Sequence, residues 1–264
     1  MRSAVLALLL ICAAAIAFCA DAPVINPNGI VTTAGSPSIQ AVAPGALVSI
    51  FGSNLAAAMA LSDSVPLSTT VGGVGVTING VPAPLQFVSP NQINLQVPWG
   101  VPVSDPASPA QVVVTSGGAT ATGAVAIAAS APAIYGIGGQ AIAVNGDGSL
   151  AAPANSIPGF TTRPARIGDT GGLVIFTTGL GAVDVPLADG ANSADQPRNT
   201  LAQPVVLIGG VAAQVTFSGL SPQFVGVNQL NVTIPAGTPT GNAVSLQIQV
   251  GGTSSNLVTI AVSQ

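Results

Sequence analysis

The sequence predicts an all-β protein, with two tandem immunoglobulin-like β-sandwiches following an N-terminal signal peptide. Three observations carry that reading. Short apolar runs are separated by Gly- and Pro-rich turns about every 8–12 residues. The chain repeats itself, in order, between its first and second halves. No segment after residue 20 shows a sustained period of 3.6, so no long helix is expected.

The export segment comes first. Arg2 is the only charge before Asp21, and Ala4 to Ala20 is unbroken apolar sequence. A positive start, an apolar middle and small residues at the end describe a secretory signal. Residues 1–20 are therefore expected to be a signal peptide, with cleavage after Cys19 or Ala20. An uncleaved anchor is the runner-up, the run being slightly short of the ~20 residues a span needs. Lipidation of Cys19 is a third reading, disfavoured because Phe18 is not small. Ordinary cleavage removes Cys12 and Cys19 together, leaving a mature chain with no disulfide, no thiol chemistry and no membrane span. The expected location is outside the cytoplasm: extracellular, cell surface or periplasmic.

Residues 21–37 are rich in Pro, Asn, Gly, Thr and Ser and read as an extended lead-in. The first sandwich is placed at 38–130 and the second at 131–264. Leu47-Val48-Ser49-Ile50-Phe51-Gly52-Ser53-Asn54-Leu55 answers to Gly172-Leu173-Val174-Ile175-Phe176-Thr177-Thr178-Gly179-Leu180. Val76-Thr77-Ile78-Asn79-Gly80-Val81 answers to Val206-Leu207-Ile208-Gly209-Gly210-Val211. Asn91-Gln92-Ile93-Asn94-Leu95-Gln96-Val97-Pro98 answers to Asn228-Gln229-Leu230-Asn231-Val232-Thr233-Ile234-Pro235. Gly117-Gly118 and Gly251-Gly252 form a weaker fourth match. Order and chemistry both persist, which is the signature of a repeated unit.

Each copy reads as strands. Leu47, Ser49 and Phe51 alternate with Val48, Ile50 and Gly52. Asn79-Gly80 and Gly209-Gly210 are two-residue hairpin turns, since both positions tolerate positive φ. Pro98 and Pro235 end their strands because proline lacks the ladder donor. Val112 to Val114, Gly117-Gly118 and Val125 to Ile127 read as a closing hairpin. Ala56 to Leu61 has the composition for one short helical turn.

Composition removes whole classes of function. Charged residues are 5% of the chain, against roughly 25% in an ordinary domain. The acids are all Asp and the bases all Arg. Without Lys there is no P-loop lysine and no Schiff base. Without His there is no Ser-His-Asp triad and no histidine-ligated metal. An acidic chain (pI near 4.1) without basic patches does not suit nucleic acid, whose binding draws on Lys and Arg to displace counterions. A transmembrane barrel would need aromatic girdles that seven Phe, one Trp and one Tyr do not supply.

Ala43-Pro44-Gly45-Ala46-Leu47-Val48-Ser49-Ile50-Phe51-Gly52-Ser53-Asn54-Leu55, then Val76-Thr77-Ile78-Asn79-Gly80-Val81-Pro82-Ala83, then Asn91 to Pro98, resembles the IPT/TIG family of immunoglobulin-like domains. In particular it is similar to a secreted tandem bacterial version, the Solibacter-type C-terminal domain family. Thr178-Gly179-Leu180-Gly181 and Ala236-Gly237-Thr238-Pro239 extend the resemblance over about 40–264. It implies a module of bacterial surface and secreted proteins, usually C-terminal in larger chains. The family has no assigned catalytic residues, so none carries over, and its DNA-binding members have no echo in a chain without Lys.

Candidate sites are few. Asn145-Gly146-Asp147-Gly148-Ser149 places oxygens at alternate positions like a calcium loop, but Ser156 stands where a bidentate Glu belongs; a hairpin turn is the simpler reading. Asp184, Asp189, Asp195 and Arg198 share a polar loop whose spacing matches no cation site. No two Asp form a recognisable catalytic pair. Gly136 to Ala141 fits G-x-G-x-x-A without the flanking strand and helix that a dinucleotide needs. Asn231-Val232-Thr233 fits a glycosylation sequon inside an expected strand. Trp99, the single tryptophan, is either a plug at the end of a sandwich or, exposed, a platform for a sugar ring. Tyr135 falls at the expected junction. No catalytic, cofactor or metal residue is assigned, and Trp99 is the one weak ligand-binding candidate.

The expected function is non-enzymatic: adhesion, surface display or binding, with an unidentified surface protein or a polysaccharide as partner. A carbohydrate-binding module and a spacer without a small ligand are the alternatives. The low charge also leaves strand edges without the Lys that usually blocks edge pairing, so self-association is expected.

Overall fold

The computed structural model describes residues 21–35, 41–105 and 107–264. The expected signal peptide, with Cys12 and Cys19, lies outside the described residues. Among the described residues every regular element is a β-strand. The thirteen of four residues or more are β1 (Val24–Thr32), β2 (Leu47–Ser53), β3 (Val74–Ile78), β4 (Leu85–Val88), β5 (Gln92–Gln96), β6 (Ala110–Ser116), β7 (Ala119–Ile127), β8 (Leu173–Thr178), β9 (Val205–Ile208), β10 (Val211–Leu220), β11 (Asn228–Thr233), β12 (Gly241–Val250) and β13 (Val258–Ser263). The stretch from Ala56 forms bends, not a helical turn, and ends in the short strand Ala60–Leu61.

In the N-terminal half one sheet runs β1-β2-β5-β4 and ends on Ala60–Leu61. The facing sheet runs β7-β6-β3 between Ala41–Val42 and Thr70–Val71. Val48, Ile50, Ile93 and Leu95 from the first meet Val76, Ile78, Val112 and Val114 from the second in one core. These are the alternate positions of their strands, so period-2 patterning builds the two-layer packing directly.

In the C-terminal half β13-β12-β9-β10-β11-β8 is continuous. It still makes two layers, because β10 belongs to both. Val211 to Ala213 pair with β9, and Gln214 to Leu220 pair with β11. The second core draws Leu173, Ile175, Leu230 and Val232 from one layer and Val206, Ile208, Leu246, Ile248 and Ile260 from the other.

The repeat is visible in register. Ser49 pairs Asn94, Ile50 pairs Ile93 and Phe51 pairs Gln92; Val174 pairs Asn231, Ile175 pairs Leu230 and Phe176 pairs Gln229. The β4–β5 ladder shifts between Leu85 and Phe87, and the β10–β11 ladder between Val215 and Phe217, at corresponding positions. Turn geometry repeats as well: φ is 48° and 79° at Asn79-Gly80, and 60° and 79° at Gly209-Gly210.

The lead-in differs from expectation. Val24–Thr32 is no mere lead-in to a sandwich starting at 38, but the edge strand of its first sheet, paired with β2. Pro27 and Asn28-Gly29 hid the strand by breaking its alternation. The structure absorbs them in a register shift between Ile25 and Ile30, with Asn28 at φ 53°.

The two halves meet over a hydrogen-bonded junction. The buried Thr178 hydroxyl accepts from the Leu47 amide at 3.0 Å and donates to the Gly226 carbonyl at 2.8 Å. Thr33 and Tyr135 share a hydroxyl–hydroxyl bond of 2.8 Å. Burial raises the Tyr135 phenol above its ordinary value, against the lowering effect of hydrogen bonds with Thr33 and Thr178.

Candidate ligand-binding face

The repeated strands keep more than their buried residues. On the outer face of the β2–β5 ladder, Phe51 stands beside Gln92, and Asn94 lies between Ser49 and Phe87. On the outer face of the β8–β11 ladder, Phe176 stands beside Gln229, and Asn231 lies between Val174 and Phe217. Within each row the glutamine amide donates to the asparagine oxygen, Gln92 Nε2 to Asn94 Oδ1 at 2.7 Å and Gln229 Nε2 to Asn231 Oδ1 at 2.9 Å. That bond fixes which way each amide points. In the first row the Ser49 hydroxyl also donates to Asn94 Oδ1 at 2.8 Å and accepts from Gln92 Nε2 at 3.4 Å, whereas Gln229 and Asn231 keep their remaining donors and acceptors for another partner.

The rows differ in what surrounds them. In the N-terminal half the row continues flat into Leu61, which pairs with Phe87. In the C-terminal half a long connection between β8 and β9 folds back over the row. Ser193 to Pro197 form one wall and Pro222 part of another, over a floor of Phe217, Gln229 and Asn231, enclosing about 330 Å³. Beside this groove Phe224, half exposed, meets the Phe176 ring edge to face at 6.2 Å between centroids. An apolar floor, oriented amides and an aromatic at the rim are the features of a site for a small or chain-like polar ligand.

Arg198 braces the wall. Only 4% of the residue is exposed. Its guanidinium donates to both Asp195 oxygens, at 2.6 and 3.0 Å, and to the Ser193 hydroxyl at 3.2 Å. This bond pulls the Asp195 carboxyl down to about 2, although the carboxylate itself faces solvent. The wall is anchored where the Leu220 amide donates to the Arg198 carbonyl at 2.9 Å. Gly219 permits that approach, since a Cβ there would run into the Arg198 carbonyl and lie 2.6 Å from Phe217 Cζ.

Of the residues singled out from sequence, Asp195 and Arg198 belong to the groove wall and Asn231 to its floor; the others fall elsewhere. Trp99 is half-buried with its ring packed over Gly45, where any side chain would collide with it, and its indole Nε1 is enclosed without a partner. The ring thus packs on the Gly45 backbone. Asp184 caps Asn199, taking its amide at 2.9 Å and its side-chain Nδ2 at 2.8 Å. Asp189 reaches the N-terminal half. Thus the acids of the polar loop do separate structural work, and among the described residues no three His, Cys, Asp or Glu stand together. Asn145 to Ser149 is a turn in which Arg163 Nε meets Asp147 Oδ2 at 2.6 Å, holding the Asp147 carboxyl far below its usual range. Sequence reasoning missed Phe176, Phe217, Phe224, Gln229 and Asn231 as a site. The signal was there for four of them: Phe51, Phe87, Gln92 and Asn94 match them at positions where no core demands it.

Comparison with known proteins bears on the first repeat. Residues 30–128 match the IPT/TIG domain. The match gives no finer subfamily and does not extend over the second repeat. Comparison with curated proteins gave no match. Among solved structures the chain is similar to SGBP-B of the mixed-linkage glucan utilization locus of Bacteroides ovatus, in complex with a mixed-linkage heptasaccharide, at 12% identity and TM-score 0.34, covering 93% of this chain and 47% of that one. It is also similar to SGBP-B from a xyloglucan utilization locus of Bacteroides uniformis, at 14% identity and TM-score 0.26, covering 91% and 49%. A structure with a xylogluco-oligosaccharide gives 15% identity and TM-score 0.29, covering 90% and 41%. The chain spans less than half the length of each. Likeness at this level leaves the functional reading to the chain's own residues.

Proposed function

We propose that this chain is a non-enzymatic, exported binding module of two immunoglobulin-like sandwiches, dividing near residues 130 and 131, whose ligand is an uncharged polysaccharide. The observation that carries the reading is the Phe-Gln-Asn-Phe row. It recurs in register in both halves, and in the second half it floors a groove beside Phe176 and Phe224. Sugar rings offer apolar faces to aromatics and hydroxyls to amides, which is the chemistry this row presents. Arg198, the cation in the wall, already spends its donors on Asp195 and Ser193. A uronate or sulfate would find no partner there and would face the exposed Asp195 carboxylate.

The test is depletion of the purified protein by insoluble neutral polysaccharides and cell-wall material. Saturable binding that Phe224→Ala weakens by about 10-fold is expected. No depletion by any of them, or equal depletion with the variant, overturns the polysaccharide reading. A second reading, adhesion to a protein partner or to another copy, is favoured by the flat row. There Leu61, Met59 and Val65 are 66%, 72% and 54% exposed without a covering loop. It expects association in sedimentation that Leu61→Asp suppresses, whereas clean monomers at high concentration would remove the self-association part.

A further inference from the structure

We infer that the N-terminal half holds the wall of the C-terminal groove in place, with Asp189, Gly190 and Gln96 as positioning residues for that site. This rests on the groove being the ligand site. The connection that supplies the wall does not simply hang from β8 and β9. Six residues before Asp195 it leaves its own half and docks on the other. The Trp99 amide donates to Asp189 Oδ1 at 2.7 Å. The Gly190 amide donates to Gln96 Oε1 at 2.7 Å, and the Leu67 amide donates to the Gly190 carbonyl at 2.8 Å.

The docking is specific on both sides. Gly190, at φ 77°, fits so closely that a Cβ would lie 2.8 Å from the Leu67 backbone and 3.1 Å from Pro84 Cβ. Gln96 continues the outward positions of β5, two residues after Asn94, yet it is fully buried. Its other end donates to the Gly45 carbonyl at 3.2 Å, under the Trp99 ring. A buried amide on an outward strand position is costly unless satisfied. Here the C-terminal half satisfies it. The segment from Ser193 to Pro197 is thus clamped at one end where Gly190 docks against the N-terminal half and at the other where Arg198 docks against β10. Trp99 serves the site through its backbone amide.

The test uses Asp189→Ala, which removes an exposed acceptor, and Asp189→Asn, which keeps an oxygen at the same place. Amide hydrogen exchange over 191–197 reads the wall. Affinity electrophoresis in hydroxyethyl cellulose, an uncharged polysaccharide, reads the site. Exchange at least 10-fold faster in Asp189→Ala is expected, with mobility retardation reduced several-fold and melting temperature and Trp99 emission nearly unchanged. Asp189→Asn is expected to restore both. Unchanged exchange in Asp189→Ala overturns the clamp, as does faster exchange with undiminished retardation. If the unaltered protein binds neither this polymer nor any insoluble polysaccharide, the ligand reading falls, and the exchange result alone decides the clamp.

Discussion

The two rows of Phe, Gln, Asn and Phe are the same idea with different surroundings. In the N-terminal half the row lies on a flat sheet and runs out to an exposed Leu61. In the C-terminal half a loop returns over it. The difference turns on small details at the end of one strand. Position 89 of the first repeat is a serine that closes its own turn, accepting from the Gln92 amide at 3.0 Å. Its counterpart is Gly219, whose missing side chain leaves room for the Arg198 backbone. A repeated unit can therefore stay constant in its ladder while a loop and one glycine decide whether its outer face is a plane or a groove.

The largest effect should come from filling that gap. Gly219→Ala would place a methyl against the Arg198 carbonyl and the Phe217 ring. Overpacking of this kind costs about 3 kcal/mol, or a drop of roughly 10 °C in a chain of this size. Thermal unfolding followed by circular dichroism measures it. Ser89→Gly in the first repeat should shift the midpoint by under about 3 °C, because only a turn is loosened. Equal shifts would mean that Gly219 is not what separates the rows.

Next comes the aromatic contrast. Phe224→Ala should weaken binding to neutral polysaccharide by about 10-fold, a loss of ~1.4 kcal/mol, as truncation of an interface aromatic commonly does. Phe51→Ala on the flat row should change it less than about 2-fold by the same measure. Isothermal titration or affinity electrophoresis reads both. The reverse ranking would move the site to the flat face.

The polymer contacts also rank the amides. Gln229→Ala removes a donor and frees Asn231, and a neutral hydrogen bond is worth about 1 kcal/mol. Binding should fall roughly 5-fold, while Gln92→Ala leaves it unchanged. Parallel losses in both variants would show that the two rows act as one surface.

Much of this was legible beforehand, and the residues show why. Ile50, Ile93, Ile175 and Leu230 announce themselves because burial fixes both their chemistry and their spacing. Asn79-Gly80 is local turn chemistry and needs no distant partner. Val24–Thr32 reads as a lead-in because Pro27 and Gly29 break a pattern that only a bulge restores. Gln96 and Leu47 pair on the outer face of their ladder, so alternation leaves them in solvent. They are buried because Gly190 and Gly226 arrive from more than ninety residues away, and no local pattern encodes that meeting. Trp99 is the same case, since its place is set by Gly45 and Asp189.

The smallest expected effect is that of pH, and it separates the groove wall from the rest of the junction. Without His, no side chain of ordinary pKa titrates between pH 5 and 8, so stability and binding should be flat there. Asp195 is lowered from 3.8 to about 2 by Arg198. A depressed carboxyl stabilises the fold above its unfolded value, and that contribution fades as pH falls from about 4 towards 2. Asp147, lowered by Arg163, fades in the same direction. Tyr135 has the opposite sign. Its raised phenol favours folding below 10, and that contribution is lost as pH rises above it. Melting temperature against pH should thus show a plateau with a shallow acid limb and an alkaline one. Arg198→Met should flatten the Asp195 part of the acid limb and leave the alkaline limb in place. Loss of the alkaline limb as well would mean that the wall and the Thr33–Tyr135 contact unfold as one unit. The clamp at Asp189 would then be only one strand of a tighter coupling between the halves.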